Sequence, residues 1–381
     1  MKRIVILSGS TGGGHVKAAE GLLSYRKKFG NKYHFIHIDV IKHMSFLFKK
    51  LYADTYLSII NNFPAIYGHL YSMTDDVNDG KKEKILLAKY RRVLEWFFTL
   101  RFKGIIKHIA PECIIFTHFL PAEHMNKQAK KHKYAKKYAV VVTDFDVHSL
   151  WIQPNMDLFF VANEECKDRL IDKGIQGNKI HITGIPIDIN FSKSYNKEEI
   201  KKEIGLSPYL PTILIMSGAF GVGKVDLFAE DILTKLKHDF QIIALTGTNY
   251  ELYEAFKKLE KKHPHKLHTV KYTNEVYKYM AASDFAITKT GGLTSSECLA
   301  MGLPIITLNP IPGQEQRNTD YLMEHGAGLK AYDLTGLRFR VNEMLSDSEK
   351  LKRMQENARN AAKPNAGEEI LSILLSTISN N

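Results

Sequence analysis

Phe285-Ala286-Ile287-Thr288-Lys289-Thr290-Gly291-Gly292-Leu293-Thr294-Ser295-Ser296-Glu297 runs on into Cys298-Leu299-Ala300-Met301-Gly302-Leu303-Pro304-Ile305-Ile306. An apolar strand enters two glycines, a helix opens behind them, and a second apolar strand follows. Glycine lets a backbone approach a ligand closely, and a helix start offers unpaired N–H groups and the positive end of a dipole. A diphosphate fits such a turn. Glu297, about one helical turn further in, is a carboxylate able to accept two hydrogen bonds from a ribose diol. The same spacing also describes an ordinary strand–turn–helix that happens to carry an acid, so the surrounding sequence has to decide.

Outward from this unit the chain repeats the pattern. Arg3-Ile4-Val5-Ile6-Leu7 leads into Ser8-Gly9-Ser10-Thr11-Gly12-Gly13-Gly14-His15 and then a helix. Apolar runs of parallel-strand type recur at Phe35–Ile38, Cys113–Phe116, Tyr138–Val142, Leu158–Val161 and Ile180–Thr183. A second set comprises Thr212–Met216, Gln241–Leu245, Leu267–Val270, Phe285–Ile287 and Pro304–Thr307. Helical patterns between such runs are the signature of doubly wound α/β sheets. The expected architecture is two Rossmann-like domains facing a cleft. The first spans 1–190, a polar linker 191–203, the second domain 204–365, and a closing helix 366–381.

The 381 residues are 44% hydrophobic, enough for two packed domains. No run reaches the ~20 apolar residues of a membrane span. Nor is the N-terminal run long enough for a secretory signal. Cys113, Cys166 and Cys298 are too widely spaced for a disulfide framework or a CxxC metal site. A reduced, cytoplasmic protein is expected.

The net charge of +12 is lopsided: residues 1–199 carry 31 Lys and Arg against 20 Asp and Glu, and the remainder 22 against 21. A basic half implies an anionic partner. Residues 41–110 alone hold 12 basic and 6 acidic side chains among aromatics such as Trp96, Phe97, Phe98 and Phe102. Such an insertion either lies in an interface of anionic membrane lipids or packs on the sheet with its cations in water. The lysine run 127–137 is most simply a solvated helix face. Nucleic acid is not expected as a partner, because no reader motif accompanies the charge.

Three familiar signatures are incomplete. Ser8 to His15 with Asp39 imitates a dinucleotide fingerprint, but Lys17 stands where the third glycine belongs. Gly218-Ala219-Phe220-Gly221-Val222-Gly223-Lys224 satisfies GxxxxGK, yet Val225 replaces the hydroxyl residue that would hold magnesium. Asp144-Phe145-Asp146 imitates the DxD pair that holds a metal–nucleotide complex, but it lies at the end of an apolar strand in the first half, far in sequence from the Gly-Gly…Glu site, so the metal reading is the lesser one.

Taken together, the segments resemble the diacylglycerol glycosyltransferase family, which includes monogalactosyldiacylglycerol synthases and bacterial processive diacylglycerol glucosyltransferases. The enzyme that adds N-acetylglucosamine to lipid I is a more distant relative. The marks are Gly12-Gly13-Gly14-His15, Thr143-Asp144-Phe145 with His148 and Trp151, and Ser217-Gly218 with Gly221 and Gly223. Thr273-Asn274, Met280-Ala281-Ala282-Ser283-Asp284, Gly291-Gly292-Leu293-Thr294 with Glu297, and Pro312-Gly313-Gln314-Glu315-Gln316 with Asn318 complete them.

The resemblance implies a GT-B fold and an inverting transfer of a hexose from UDP-glucose or UDP-galactose to diacylglycerol, without a tightly held metal or other cofactor. The enzyme would work peripherally at the inner face of the membrane. It further implies that Glu297 binds the ribose and that backbone groups around Asn274 and Val276 meet the uracil. Gly291, Gly292, Leu293 and Thr294 would cradle the diphosphate, with Gly218, Gly221, Gly223 and Thr246 on the same donor side. Gln314, Glu315, Gln316 and Asn318 would read the sugar.

On the acceptor side stand Thr11, Gly12, Gly13, Gly14, His148 and Trp151. His15 is the candidate base, since an imidazole of ordinary pKa is largely neutral in the cytosol. It could instead close the glycine loop or bind a headgroup phosphate. Asp144 is a second catalytic candidate, with His148. Two other activities remain open: transfer of N-acetylglucosamine to a polyprenyl-linked acceptor, and epimerisation of a UDP-sugar at C2.

Overall fold

In the computed structural model, residues 1–10, 13–43, 102, 104–216 and 225–379 are described. The chain divides into two compact units. One comprises Met1–Ile189, Pro312–Gln314 and Asn365–Asn381, the other Asn190–Ile311 and Glu315–Pro364. Most of the 41–110 insertion, including Trp96 to Phe98, lies outside the described residues.

The first unit is built on β1 (Lys2–Ser8), α1 (Gly13–Ser24), β2 (Tyr33–Asp39), β3 (Cys113–Phe116), α2 (Phe119–Ala129), β4 (Lys137–Val141), β5 (Leu158–Val161), α3 (Glu164–Asp172) and β6 (Ile180–Ile182). All its strand pairs are parallel, in the order β2-β1-β3-β4-β5-β6. A parallel sheet covered on both faces needs apolar residues at every position, which is why these strands read as unbroken runs. Along β1 the side chains alternate between two cores. Val5 and Leu7 join Phe116, Tyr138 and Phe159 on one face, while Ile4 and Ile6 join Leu22, Tyr25 and Phe160 on the other.

The second unit begins with α4 (Lys197–Glu203). It continues through β7 (Thr212–Met216), α5 (Val225–Lys235), β8 (Gln241–Leu245), α6 (Tyr250–Lys262), β9 (Leu267–Val270), α7 (Val276–Ala281), β10 (Phe285–Ile287) and α8 (Gly292–Ala300). β11 (Ile305–Leu308), α9 (Gln314–Glu324), β12 (Gly328–Ala331), α10 (Leu334–Ser346) and α11 (Ser348–Ala361) follow. Its sheet is again wholly parallel, in the order β12-β11-β10-β7-β8-β9. Two doubly wound parallel sheets are thus the observed fold, as the alternating pattern predicts.

The polar stretch 191–203 carries a short helix. Asn196 caps α4 by accepting from the N–H groups of Glu198 and Glu199. Ile200 and Lys201 are buried there. A helix with so few apolar residues is hard to see in sequence, because the stem of a lysine supplies part of its buried face.

The last helix, α12 (Ala366–Ser379), returns to the first unit. Ile370, Leu371, Leu374, Leu375 and Ile378 fill the core beside Ile4, Ile6 and Tyr25. On α1, Gly21 allows the Pro186–Ile187 segment to pass: a Cβ there would lie 2.8 Å from the Pro186 carbonyl oxygen.

Candidate functional site

Ligands of open α/β sheets bind outside the carboxyl ends of the strands, where the strand order reverses. In the second sheet that place is between β7 and β10, whose ends are paired at Ile215 and Ile287. β7 leads into the Gly218, Gly221 and Gly223 segment, which lies outside the described residues. β10 leads into Thr288–Gly291 and α8.

Gly291 is the N-cap of α8 with φ −65° and ψ 142°, and no side chain caps the helix start. Among the described residues, a Cβ at Gly291 would meet nothing within 4 Å. Gly292 and Leu293 are buried, Thr294 and Glu297 partly so. The Glu297 charge adds to burial in pushing the neighbouring Cys298 thiol far above its usual pKa.

The turn is braced from α9. Asn318, fully buried, donates through Nδ2 to the Thr290 carbonyl at 2.9 Å. The Thr290 hydroxyl bonds the Glu315 carbonyl (2.9 Å) and the Thr319 hydroxyl (2.8 Å). The Glu315 carboxylate accepts from the Ile311 N–H at 3.2 Å and faces Lys289 at 3.8 Å. Gln316 is exposed. Thr246, at the end of β8, is buried and donates its hydroxyl proton to the Val270 carbonyl at 3.1 Å. Asn274 is exposed and accepts from the Tyr272 hydroxyl at 3.1 Å, and Val276 opens α7 half-buried. In this unit the structure therefore gathers Gly291, Gly292, Thr294 and Glu297 on one helix start. Asn318, Glu315 and Thr246 make bonds that hold backbone.

In the first sheet the reversal falls between β1 and β3. His15, one turn into α1, meets the ends of β3 and β4. Its Nδ1 lies 2.9 Å from the Thr117 carbonyl oxygen and 3.0 Å from the Thr143 hydroxyl. The Thr117 hydroxyl returns a bond to the His15 carbonyl at 2.9 Å. The ring packs edge-on against His118, centroids 4.5 Å apart, and 6.0 Å from Trp151. His118 caps α2 by accepting from the Leu120 N–H.

Burial holds the His15 imidazole down to about 4 against a weaker upward pull from the Thr117 carbonyl bond. His118 is held well below the ordinary histidine value, by burial first and then by His15. Both rings are neutral at pH 7.

Asp144 is nearly buried and accepts from Gln314 Nε2 at 2.5 Å, within the first unit as the chain divides. Asp146 pairs instead with Arg169 at 3.0 Å, so the two carboxylates of the Asp-Phe-Asp segment have different partners. His148 uses Nδ1 to cap the short turn Ser149–Trp151, and Trp151 is buried. Gly13 and Gly14 lie exposed at the start of α1, and Thr11 and Gly12 lie outside the described residues.

Thr117 and His118 were not among the residues expected from sequence. The signal was present: Phe116-Thr117-His118 sets two polar residues directly after an apolar strand, where a parallel sheet places its ligand-facing loops.

Of the solved structures similar to this chain, the Acinetobacter baumannii MurG aligns with a TM-score of 0.63 at 13% identity, covering 98% of this chain and 99% of that one. Two six-stranded parallel sheets in separate units, sharing that fold, place the protein in the GT-B class. Residues 15–187 match the family described as Monogalactosyldiacylglycerol (MGDG) synthase, and residues 212–370 the Glycosyltransferase family 28 C-terminal domain. The processive diacylglycerol beta-glucosyltransferase of Staphylococcus epidermidis is 31% identical over 363 residues, covering 93% of this chain and 87% of that protein. The enzyme of the same name from Bacillus pumilus is 29% identical over 371 residues, covering 97% and 94%. The chain belongs to the diacylglycerol glycosyltransferase family, and it is a glycosyltransferase.

Proposed function

We propose that the protein transfers a hexose from a UDP-sugar to diacylglycerol, or to glycosyl-diacylglycerol, with inversion at the anomeric carbon. Its relatives support the acceptor. The donor reading is carried by the α8 start, which among the described residues has no side-chain cap and no atom within 4 Å of a Cβ placed at Gly291. A diphosphate there gains hydrogen bonds and the helix dipole, and the same groups stabilise departing UDP without a metal. Glu297 takes the ribose diol, and the Asn274–Val276 loop takes the base. Asn318 and Glu315 act through the turn they brace, while Gln314 and Gln316 are the sugar-reading side chains. The glycines at 218, 221 and 223 line the donor from β7.

On the acceptor side His15 is the base: neutral at pH 7 and held at the strand ends where a hydroxyl would enter. Asp144, His148 and Trp151 shape that place. No helix among the described residues is long and apolar enough to cross a membrane. In this reading the enzyme works on its lipid at the cytoplasmic face, drawn to anionic lipids by the basic first half. A transfer assay offering UDP-glucose, UDP-galactose and UDP-N-acetylglucosamine to diacylglycerol liposomes tests this. A glycolipid from one of the first two is expected. An epimer formed without acceptor, or product only with a polyprenyl-linked acceptor, would replace the proposal.

A further inference from the structure

We propose that the Thr143 hydroxyl and the Thr117 carbonyl are positioning groups that hold His15 as its Nδ1–H tautomer, so that Nε2 is the atom presented to the acceptor hydroxyl. This deepens the transfer reading above and rests on it.

A carbonyl oxygen carries no proton, so the 2.9 Å contact between His15 Nδ1 and Thr117 is a hydrogen bond only if Nδ1 holds the hydrogen. That hydrogen is then shared with the Thr143 oxygen at 3.0 Å, which accepts. In a neutral imidazole with Nδ1 protonated, the lone pair sits on Nε2. Among the described residues both hydrogen bonds of the His15 ring are made through Nδ1.

The ring is also kept from turning over. A flip about the Cβ–Cγ bond would set a carbon against the Thr117 carbonyl and lose both bonds. His118 presses edge-on against one side, itself fixed by the Leu120 N–H. Gly9 makes room for His118, since a Cβ there would lie 3.0 Å from His118 Cδ2. The chain thus orients a histidine with two uncharged oxygens, where a carboxylate often does this work.

In the step this serves, the acceptor oxygen bonds to the anomeric carbon as its O–H bond breaks, and the proton passes to His15 Nε2. The bond from that carbon to the diphosphate oxygen breaks, and UDP leaves with the electron pair.

The test combines a spectrum with a pair of substitutions. In protein labelled with 15N-histidine, the His15 signals, assigned by their loss in His15→Gln, should show a protonated Nδ1 and a bare Nε2. Thr143→Val removes the hydroxyl at constant shape and should mix in the other tautomer. Its kcat for transfer should fall about tenfold, with UDP affinity unchanged and Thr143→Ser restoring both kcat and spectrum. A wild-type spectrum with Nε2 protonated would overturn the proposal, as would wild-type kcat and tautomer in Thr143→Val. Should no UDP-sugar support transfer, the functional reading fails by itself, and the wild-type spectrum still decides the tautomer.

Discussion

Replacing Asn318 by leucine tests whether the donor turn is held from behind. The side chain is fully buried, and its Nδ2 reaches the Thr290 carbonyl at 2.9 Å. Leucine has nearly the same shape, so the main loss is a donor to a buried carbonyl, which costs ~1–3 kcal/mol. With m near ~2–3 kcal/mol per molar urea, the unfolding midpoint of the second unit should fall by about 0.3–1.5 M. The Thr290 hydroxyl keeps its bonds to Glu315 and Thr319, so the turn loosens without being released. A shift of a few tenths of an ångström at the α8 start weakens N–H contacts to a diphosphate. About tenfold in Kd for UDP, or ~1.4 kcal/mol, is expected by titration calorimetry. Lower stability with UDP affinity unchanged within twofold would show that the turn does not bind the nucleotide. Loss of UDP affinity by three orders of magnitude at unchanged stability would show that Asn318 touches the ligand directly.

Glu297→Gln should weaken UDP binding about tenfold through the lost charge-assisted bonds to the ribose, with a smaller loss for TDP-type nucleotides, which keep the 3′-hydroxyl but lack the 2′-hydroxyl; equal losses for both would remove the contact to the 2′-hydroxyl. His15 remains uncharged in the fold down to about pH 4, whereas an unfolded chain protonates it near ~6.5. Stability is therefore full above that value and declines as pH falls toward 4, with an upper bound of ~3 kcal/mol, while the acid limb of kcat/KM should lie near 4; a limb near 6.5 would assign the base elsewhere. Lys201, nearly buried, gives Nζ to the Leu210 carbonyl at 2.7 Å and faces Asp284 at 3.5 Å. Lys201→Ala should lower the urea midpoint by an amount equivalent to ~3 kcal/mol and leave kcat untouched. Sedimentation with anionic liposomes should weaken as salt rises from 0.05 to ~0.5 M, and equal binding to neutral liposomes would refute a charge-driven membrane contact.

The strand–turn–helix at Phe285–Ala300 was legible because every signal in it is local: apolar run, glycine pair, helix start, acid. So was the doubly wound class, since buried parallel strands read as continuous runs separated by helices. What stayed hidden depends on strand order. His15 and Thr117 are 102 residues apart, and His15 and Thr143 are 128 apart. They meet because β3 pairs with β1 and β4 with β3, and nothing in the composition of those strands states which neighbours which. The packing of α9 behind the turn, which directs the Asn318 amide at the Thr290 carbonyl, could not be read from the sequence either.

Buried polar groups separate the two edges of the second sheet by what they do. At the amino edge, Asp284 receives Lys197 at 2.7 Å and the Thr212 N–H at 2.7 Å, and Gln241 ties Ser207 to Thr212. Those bonds close on backbone and on one another, which is how a fold avoids the cost of unpaired polar atoms. At the carboxyl edge the same economy of bonding serves a different end. Thr246, Thr290 and Asn318 fasten loops to backbone carbonyls and leave a helix start without a cap. In the first unit, Thr117 and Thr143 do likewise for His15, engaging one ring nitrogen and leaving the other outside their network. An uncapped helix start and a half-engaged imidazole, each braced by hydrogen bonds from neighbouring elements, leave bonding capacity that a ligand can take up. That capacity is what the proposed diphosphate in one unit and the proposed acceptor hydroxyl in the other would use.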